Sequence, residues 1–323
     1  MYYVYFEKVI TTLSCIRYCP TPLEIYFHPI NYLGPTKPRG FEEKDLKGTL
    51  DRFMRQNLTI MARNLKRTYT VTFGDVAENH ARMQKVGKLA DNGYPCSKLE
   101  QLALKLKSTC DLECEIVQLD RFWKGDEDEK VGEASVLVIR RGVQHILGDV
   151  DTSSLMAEHD GLTMDKHALM RGKVVNKHAR WNLCFAEEDQ DPVYQDGKGR
   201  IVAYRRVPLT SCIREKVSEW LEDDKLNGEA NYYYDISKCG IGYHGEAERR
   251  KVVAMRMGES MPLYFQWFQR SKPVGDRVKI ELHDGDMYVM SEAAVGFDWL
   301  KKIKPTLRHS TGCDKYTVFK VLK

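Results

Sequence analysis

No stretch of this chain is apolar for long enough to cross a bilayer. The apolar part of Met1–Ile16 is broken by Thr11, Thr12 and Ser14 and is too polar for the core of a signal peptide, so an intracellular place, cytoplasmic or nuclear, is expected. A disulfide framework is missing too, because the nine cysteines are odd in number and scattered, as suits reduced thiols. Cys15 with Cys19 and Cys110 with Cys114 lack a second pair at zinc-site spacing, which argues against structural zinc. Neither sign of charge dominates. Lys and Arg number 50 against 46 Asp and Glu, and a net charge of +4 favours a polyanionic partner only where the cations cluster. Repeats and low-complexity segments are absent. The 323 residues, 42% hydrophobic and 30% charged, suffice for one large core or two modest ones.

What is present centres on residues 241–258. His244 and Glu246 are two apart, and on an extended backbone such a pair shares one face and can grip a metal ion from adjacent corners. One further histidine would complete a two-histidine, one-carboxylate set with open positions, the arrangement used by non-haem Fe(II) oxygenases. His309 and His283 compete for that role. The bland alternative, a surface histidine beside a solvated glutamate, is common for so short a motif. The context adds weight. A charged turn, Ala247 to Lys251, leads to an apolar strand, Val252 to Met257, and Gly258 opens a turn before the strand Pro262 to Phe268. Lys279 to Met290 reads as a strand, a tight Asp284-Gly285 turn and another strand.

The His244-x-Glu246 pair, the Met257-Gly258 strand end, the Leu263–Gln266 strand, the Asp284-Gly285-Asp286 turn and the late His309 together resemble the AlkB-like branch of the 2-oxoglutarate and Fe(II)-dependent dioxygenases. The resemblance covers the C-terminal part of the chain. It implies a double-stranded β-helix, iron held by His244, Glu246 and His309, and 2-oxoglutarate and dioxygen as co-substrates. His283 then falls where the family has a structural residue. Asn231-x-Tyr233 resembles the family element that helps hold 2-oxoglutarate. The implied reaction is oxidative demethylation or hydroxylation of a nucleic-acid base, with DNA or RNA as partner. Metal affinity should fall as pH drops through the histidine range.

Three features depart from the family pattern. Glu246 stands where aspartate is usual, Asn231-x-Tyr233 lies farther from His244, and no pair of arginines follows His309. For the distal carboxylate of 2-oxoglutarate the chain offers Lys320, on an expected final strand Tyr316 to Lys320, with Arg256 and Arg308 as alternatives. Lys301, Lys302 and Lys304 with Arg308, and Arg249 with Arg250, are candidates for phosphate contacts. Trp267, with Tyr264, Phe268 and Tyr288, is a candidate for stacking an extruded base. For each of these a place in the core or on solvated surface is the plain alternative.

The expected fold class is α+β, a C-terminal jelly roll over residues 176–323 with a mixed α/β region over residues 66–175 packed on it and an arm over residues 1–65. The arm carries Pro20, Pro22, Pro29, Pro35 and Pro38 and a helix over Asp45–Leu65. A strand over Thr68–Phe73 precedes two helices, Ala77–Ala90 and Ser97–Lys107. The second has a capping box, Ser97-x-x-Glu100, and core leucines at 99, 102 and 106. Strands follow over Glu113–Leu119 and Ala134–Arg140. Asp151–Arg171 is partly helical, and its His159 and His167 are read as non-ligands. Strands over Lys173–Phe185 and Ile201–Val207 and a helix over Pro208–Leu221 complete the approach to the site. Roughly eight strands after residue 170 suit a jelly roll. Two classes of function stay open: an oxygenase, acting on a base or alternatively on a protein side chain or small molecule, and a catalytically silent jelly-roll binding module. The complete triad favours the first and the missing arginine pair the second.

Overall fold

The computed structural model describes residues 67–319 apart from 127, 224–225 and 302. The arm 1–65, Lys302 and Lys320 lie outside the described residues. The architecture is mixed α and β, dominated by two sheets.

β1 (Thr68–Gly74) reads Thr-Tyr-Thr-Val-Thr-Phe-Gly and is buried throughout. Alternation at period two sends Tyr69, Val71 and Phe73 into one core and turns Thr70 and Thr72 to the opposite face. A strand buried on both faces belongs inside a sheet, and β1 pairs antiparallel with β10 (Asn227–Tyr233) on one side and β12 (Val252–Gly258) on the other. The sheet continues past β12 through β15 (Met287–Met290), β5 (Ser135–Ile139) and β4 (Cys114–Gln118), and past β10 through β8 (Trp181–Ala186) and β9 (Ile201–Ala203), eight strands in all. A second sheet has four strands in the order β11 (Gly240–His244), β16 (Thr306–Gly312), β13 (Leu263–Gln269), β14 (Lys272–Ile280). Two hairpins form separate ribbons: β2 (Val76–Glu78) with β3 (Lys85–Gly87), and β6 (His167–Met170) with β7 (Lys173–Asn176).

Helices cover one face of the large sheet. Leu99, Leu102 and Leu106 of α1 (Cys96–Cys110) share a core with Val143 of α2 (Gly142–Leu147), Leu155 of α3 (Thr152–Asp160) and Val217 of α4 (Pro208–Leu221). The other face meets the small sheet, where Val136, Val138 and Ala254 pack with Phe265, Ile280 and Leu307. Each such Val, Ile, Leu or Phe side chain contributes roughly 1.5–3 kcal/mol on burial. This second core fills only part of the space between the sheets. The rest is lined by polar residues of β1, β10 and β12 and holds the candidate site.

Several expectations change. Residues 77–90 form the β2–β3 hairpin rather than a helix, because Glu78 accepts from the Arg82 N–H at 2.9 Å and Asp75 from the Ala90 N–H at 2.8 Å, side chains competing for backbone donors. α1 begins at Cys96 and its first turn has no side-chain cap, so Ser97 closes no capping box. Residues 173–185 split into β7 and β8, and β9 stops at Ala203. The Asp284-Gly285 turn is a corner between sheets, not a hairpin: β14 lies in the small sheet and β15 in the large one. Gly285, at φ +81°, allows the corner, and Asp284 ties it to the Gly258 N–H at 2.7 Å and the Thr152 hydroxyl at 2.7 Å. Tyr316 and Thr317 belong to the short helix α6 (Asp314–Thr317) rather than a final strand. The division at residue 175 is no division of the sheet, since β1, β4 and β5 are interleaved with β10, β12 and β15.

Candidate metal centre

The site starts from a bulge. β11 and β16 pair Ile241 with Thr311 and His244 with His309, so Gly242 and Tyr243 stand opposite the single residue Ser310. A ladder continued regularly from Ile241 would set Tyr243 across from His309 and turn His244 to the other face. With the bulge both imidazoles point inward, ring centroids 4.5 Å apart, while Tyr243 stacks on Phe319 at 4.7 Å.

Glu246 lies past the end of β11 rather than on it. A short loop, α5 (Glu292–Val295) and the turn after it hold the residue in place. The Glu246 N–H donates to the Val295 carbonyl at 3.0 Å, and Gly245 approaches so closely that a Cβ there would sit 2.1 Å from the Gly296 oxygen. Asp75 pins the far end of the loop by accepting from the N–H groups of Arg250 and Lys251 at 3.0 and 2.9 Å.

Among the described residues, His244, Glu246 and His309 are the group of potential ligands close enough to share an ion, their donor atoms within 4.8 Å of one another. Glu246 Oε1 is 3.5 Å from His244 Nε2 and 3.3 Å from His309 Nε2. The His244 Nδ1–H donates to the Gly242 carbonyl at 2.8 Å, which leaves the Nε2 lone pair facing the cluster. Burial, with His244 beside it, lowers the His309 pKa and favours the neutral ring that a metal needs. Burial would raise Glu246, but Arg249 and the surrounding hydrogen bonds hold it well below the usual carboxylate range. Two imidazoles and one carboxylate form a donor set that fits a divalent first-row ion.

The cluster opens on a cavity of about 640 Å³. Asn231, Tyr233, Arg256 and Tyr288 line it, together with Thr70 and Glu229, residues that spacing around the motif could not single out. Arg256 is 1% exposed, donates to the Thr70 hydroxyl at 2.7 Å, leaves Nε unpartnered and forms no ion pair among the described residues. Burial lowers its pKa, so the charge is held there at a cost. The Arg180 Nε donates to the Asn231 side-chain oxygen and closes one wall.

The other expected residues separate. Arg249 is buried behind Glu246, with Nε 3.5 Å from Glu246 Oε2 and Nη2 2.6 Å from Glu229 Oε2. Arg250 pairs with Glu292 at 2.7 Å and covers the Phe297 ring in a different cleft, which Lys301, Lys304 and Trp267 also line. Trp267 is core, its indole N–H donating to the Leu119 carbonyl at 2.8 Å. Arg308 lies 4.3 Å over Phe268 on the outer face of the small sheet. Of the remaining histidines, His283 pairs with the Ser260 hydroxyl at 2.8 Å and His159 with the Thr210 hydroxyl at 2.9 Å. All seven described cysteines are free, and no described helix is long and apolar enough to cross a membrane.

No known family model matches the chain. It is 44% identical over 255 residues to "Uncharacterized protein R156" of Acanthamoeba polyphaga mimivirus, an alignment that spans 78% of this chain and 98% of that protein. The chain belongs to the same protein family as this mimivirus protein.

Proposed function

We propose that the chain is an Fe(II)- and 2-oxoglutarate-dependent oxygenase of the AlkB-like type, built on a double-stranded β-helix whose eighth strand comes from ahead of the other seven. A jelly roll is an eight-stranded ribbon rolled up so that strands pair in nested fashion, first with eighth, second with seventh, third with sixth and fourth with fifth. Counted from β10, the pairs β11 with β16, β12 with β15 and β13 with β14 are the inner three of that nest. The outer place beside β10 is taken by β1, which also bonds β12.

This topology accounts for the missing arginine pair. The strand that would carry those arginines is β1, whose inward residues are threonines, and the cation stands on the adjacent strand as Arg256. The observation that carries the proposal is the His244, Glu246 and His309 cluster opening on the same cavity as a buried arginine that forms no ion pair among the described residues.

Iron held by the three ligands would couple oxidation of 2-oxoglutarate by dioxygen to oxidation of a substrate C–H bond. Arg256 would bind the distal carboxylate by charge-assisted hydrogen bonds, and Tyr233 and Tyr288 line the same cavity. Arg249 orients Glu246 from behind, and the Gly242 carbonyl orients His244. The cavity wall bearing Arg82, Lys85 and Arg180 attracts an anionic substrate, which we take to be a methylated base on a nucleic acid.

The test is anaerobic loading with Fe(II), titration with 2-oxoglutarate, then admission of oxygen with methylated DNA, RNA and peptide panels. Succinate formation that rises with a methylated oligonucleotide and vanishes in His309→Ala supports the proposal. Failure of the iron-loaded protein to bind 2-oxoglutarate overturns it in favour of a silent module, and stimulation by peptides alone moves the substrate to proteins.

A further inference from the structure

We infer that the cleft beside α5, separate from the metal cavity, is a second ligand site for a small oxyanion of two or more charges, and that its occupant tightens the candidate metal centre. The cleft encloses about 640 Å³, a volume typical of ligand sites. Its walls are the start of α1, the loop 130–133, α5 and the chain on either side of Pro305.

The lining is rich in unused donors. Lys130, Lys301 and Lys304 are exposed and form no ion pair among the described residues. Arg250 gives Nη1 to Glu292 at 2.7 Å and leaves Nε without a partner. Thr306 is 2% exposed, and its hydroxyl too is unpartnered, a group that a bound oxygen atom would satisfy. Against these donors stand two carboxylates outside any ion pair among the described residues, Glu133 and Asp298, so the free charge of the cleft is positive. Three ammonium groups on two segments ask for more than one negative charge. Aromatic surface is scarce. Tyr94 and Trp267 are 5% and 4% exposed, and the half-buried Phe297 carries Arg250 over its ring at 4.2 Å. With little ring surface for stacking, the lining suits a compact phosphate or carboxylate ligand rather than a flat base.

The same walls hold the metal ligands. Ala293 lines the cleft, and two residues later Val295 accepts the Glu246 N–H at 3.0 Å. Leu307 lines it as well, two residues before His309 on β16. An anion that ties Lys130 to Lys301 and Lys304 joins the two rims and restrains α5, and α5 fixes Glu246. Less ordering is then left for the metal to impose, which makes the coupling positive. By linkage the metal tightens the anion by the same factor, typically about 5- to 150-fold. The inference needs a metal at the cluster but not the oxygenase reaction.

The experiment is calorimetric titration of the metal-free protein with inorganic pyrophosphate and, separately, with propane-1,2,3-tricarboxylate, two arms that tell a phosphate ligand from a carboxylate one. The expected result is one site for at least one of them. Lys301→Gln with Lys304→Gln, and separately Lys130→Gln, should weaken it about tenfold or more. Thr306→Val, which keeps the shape and removes the hydroxyl, should weaken it about threefold without lowering the melting temperature, a pattern that a merely structural threonine would not give. Arg82→Gln with Lys85→Gln, cations of the metal cavity, serves as the control and should change nothing. Mn(II) titration with and without the anion reads the coupling in wild type and in the Lys301→Gln, Lys304→Gln variant. Chelation in solution acts alike on both proteins, so only their difference counts, and the anion should tighten Mn(II) about fivefold or more in wild type alone. Binding of neither anion would overturn the inference, as would binding lost in the control variant and kept in the lysine variants, which would place the anion in the metal cavity. Equal Mn(II) shifts in both proteins would overturn the coupling.

Discussion

Thr70 and Arg256 are direct partners across β1 and β12, and the Arg256 guanidinium donates to the Thr70 hydroxyl at 2.7 Å. One neutral hydroxyl is a poor match for a fully buried cation. Such a charge is expensive in the free protein and valuable once an anion arrives. Arg256→Met should therefore leave the metal-free protein as stable or more stable, while 2-oxoglutarate affinity of the iron-loaded form falls roughly 10- to 100-fold, the worth of one or two charge-assisted hydrogen bonds. Thermal melting with and without 2-oxoglutarate reads both effects, since the ligand raises the melting temperature in proportion to its binding. A variant that melts lower without ligand and binds 2-oxoglutarate normally would mean that Arg256 is only structural.

Arg249 predicts the opposite balance. Its buried guanidinium neutralises buried Glu229 at 2.6 Å and lies between the half-buried Glu246 and Glu248. Arg249→Met leaves those carboxylates unpaired and should cost about 3–5 kcal/mol of stability. Adding Glu229→Gln should restore much of that loss. Metal affinity, measured by Mn(II) titration, should stay about tenfold or more below wild type in the double variant, because Glu246 has lost the group that orients it. Full recovery of both properties would remove Arg249 from the metal site.

His159 sets a pH dependence remote from the candidate metal site. The Thr210 hydroxyl donates to Glu158 at 2.7 Å and so accepts from the His159 Nε2–H, which leaves Nδ1 as a bare, buried lone pair. Burial lowers the pKa from 6.5 to about 3. The unfolded chain takes up this proton below pH 6.5 and the folded chain does not. Stability therefore falls with decreasing pH between 6.5 and about 3, by up to roughly 1.4 kcal/mol per pH unit, and is unaffected above 6.5. His159→Gln, which keeps a donor for Thr210, should flatten the denaturation midpoint over that window. An identical acid profile in the variant would show that carboxylates alone set it.

The His244 and Glu246 half of the candidate metal group was legible in the chain because the two are two residues apart, and strand patterns on both sides frame them. The helix over Pro208–Leu221 was legible for the same reason, with Pro208 at its first turn. Arg256 could only be offered as one cation among several. What distinguishes it is its pairing with Thr70, 186 residues away, and no local pattern records a register across that distance. Residues 77–90 misled because helix-compatible side chains conceal the two carboxylates, Asp75 and Glu78, that capture backbone donors. The lysines at 301 and 304 looked close to His309 along the chain, yet they line another cleft, because the chain turns through Pro305 into β16 between them.

The bulge in β11 allows a graded test of how the ligands are set. Removing Gly242 would leave one residue, Tyr243, opposite Ser310, and the ladder would run regularly from Ile241 with Thr311 to His244 with His309. His244 would stay on the inner face, so the three ligands would remain together. What the deletion removes is the Gly242 carbonyl that accepts from His244 Nδ1 at 2.8 Å and fixes the tautomer. Losing such a partner typically costs 10- to 100-fold in metal affinity without abolishing binding. Mn(II) titration of the deletion variant should thus give an intermediate affinity, and His244→Ala in the same background should remove what is left. Wild-type affinity in the deletion would show that the bulge does not orient His244. Complete loss in a deletion variant that still melts cooperatively would show that His244 had turned to the outer face, contradicting the register.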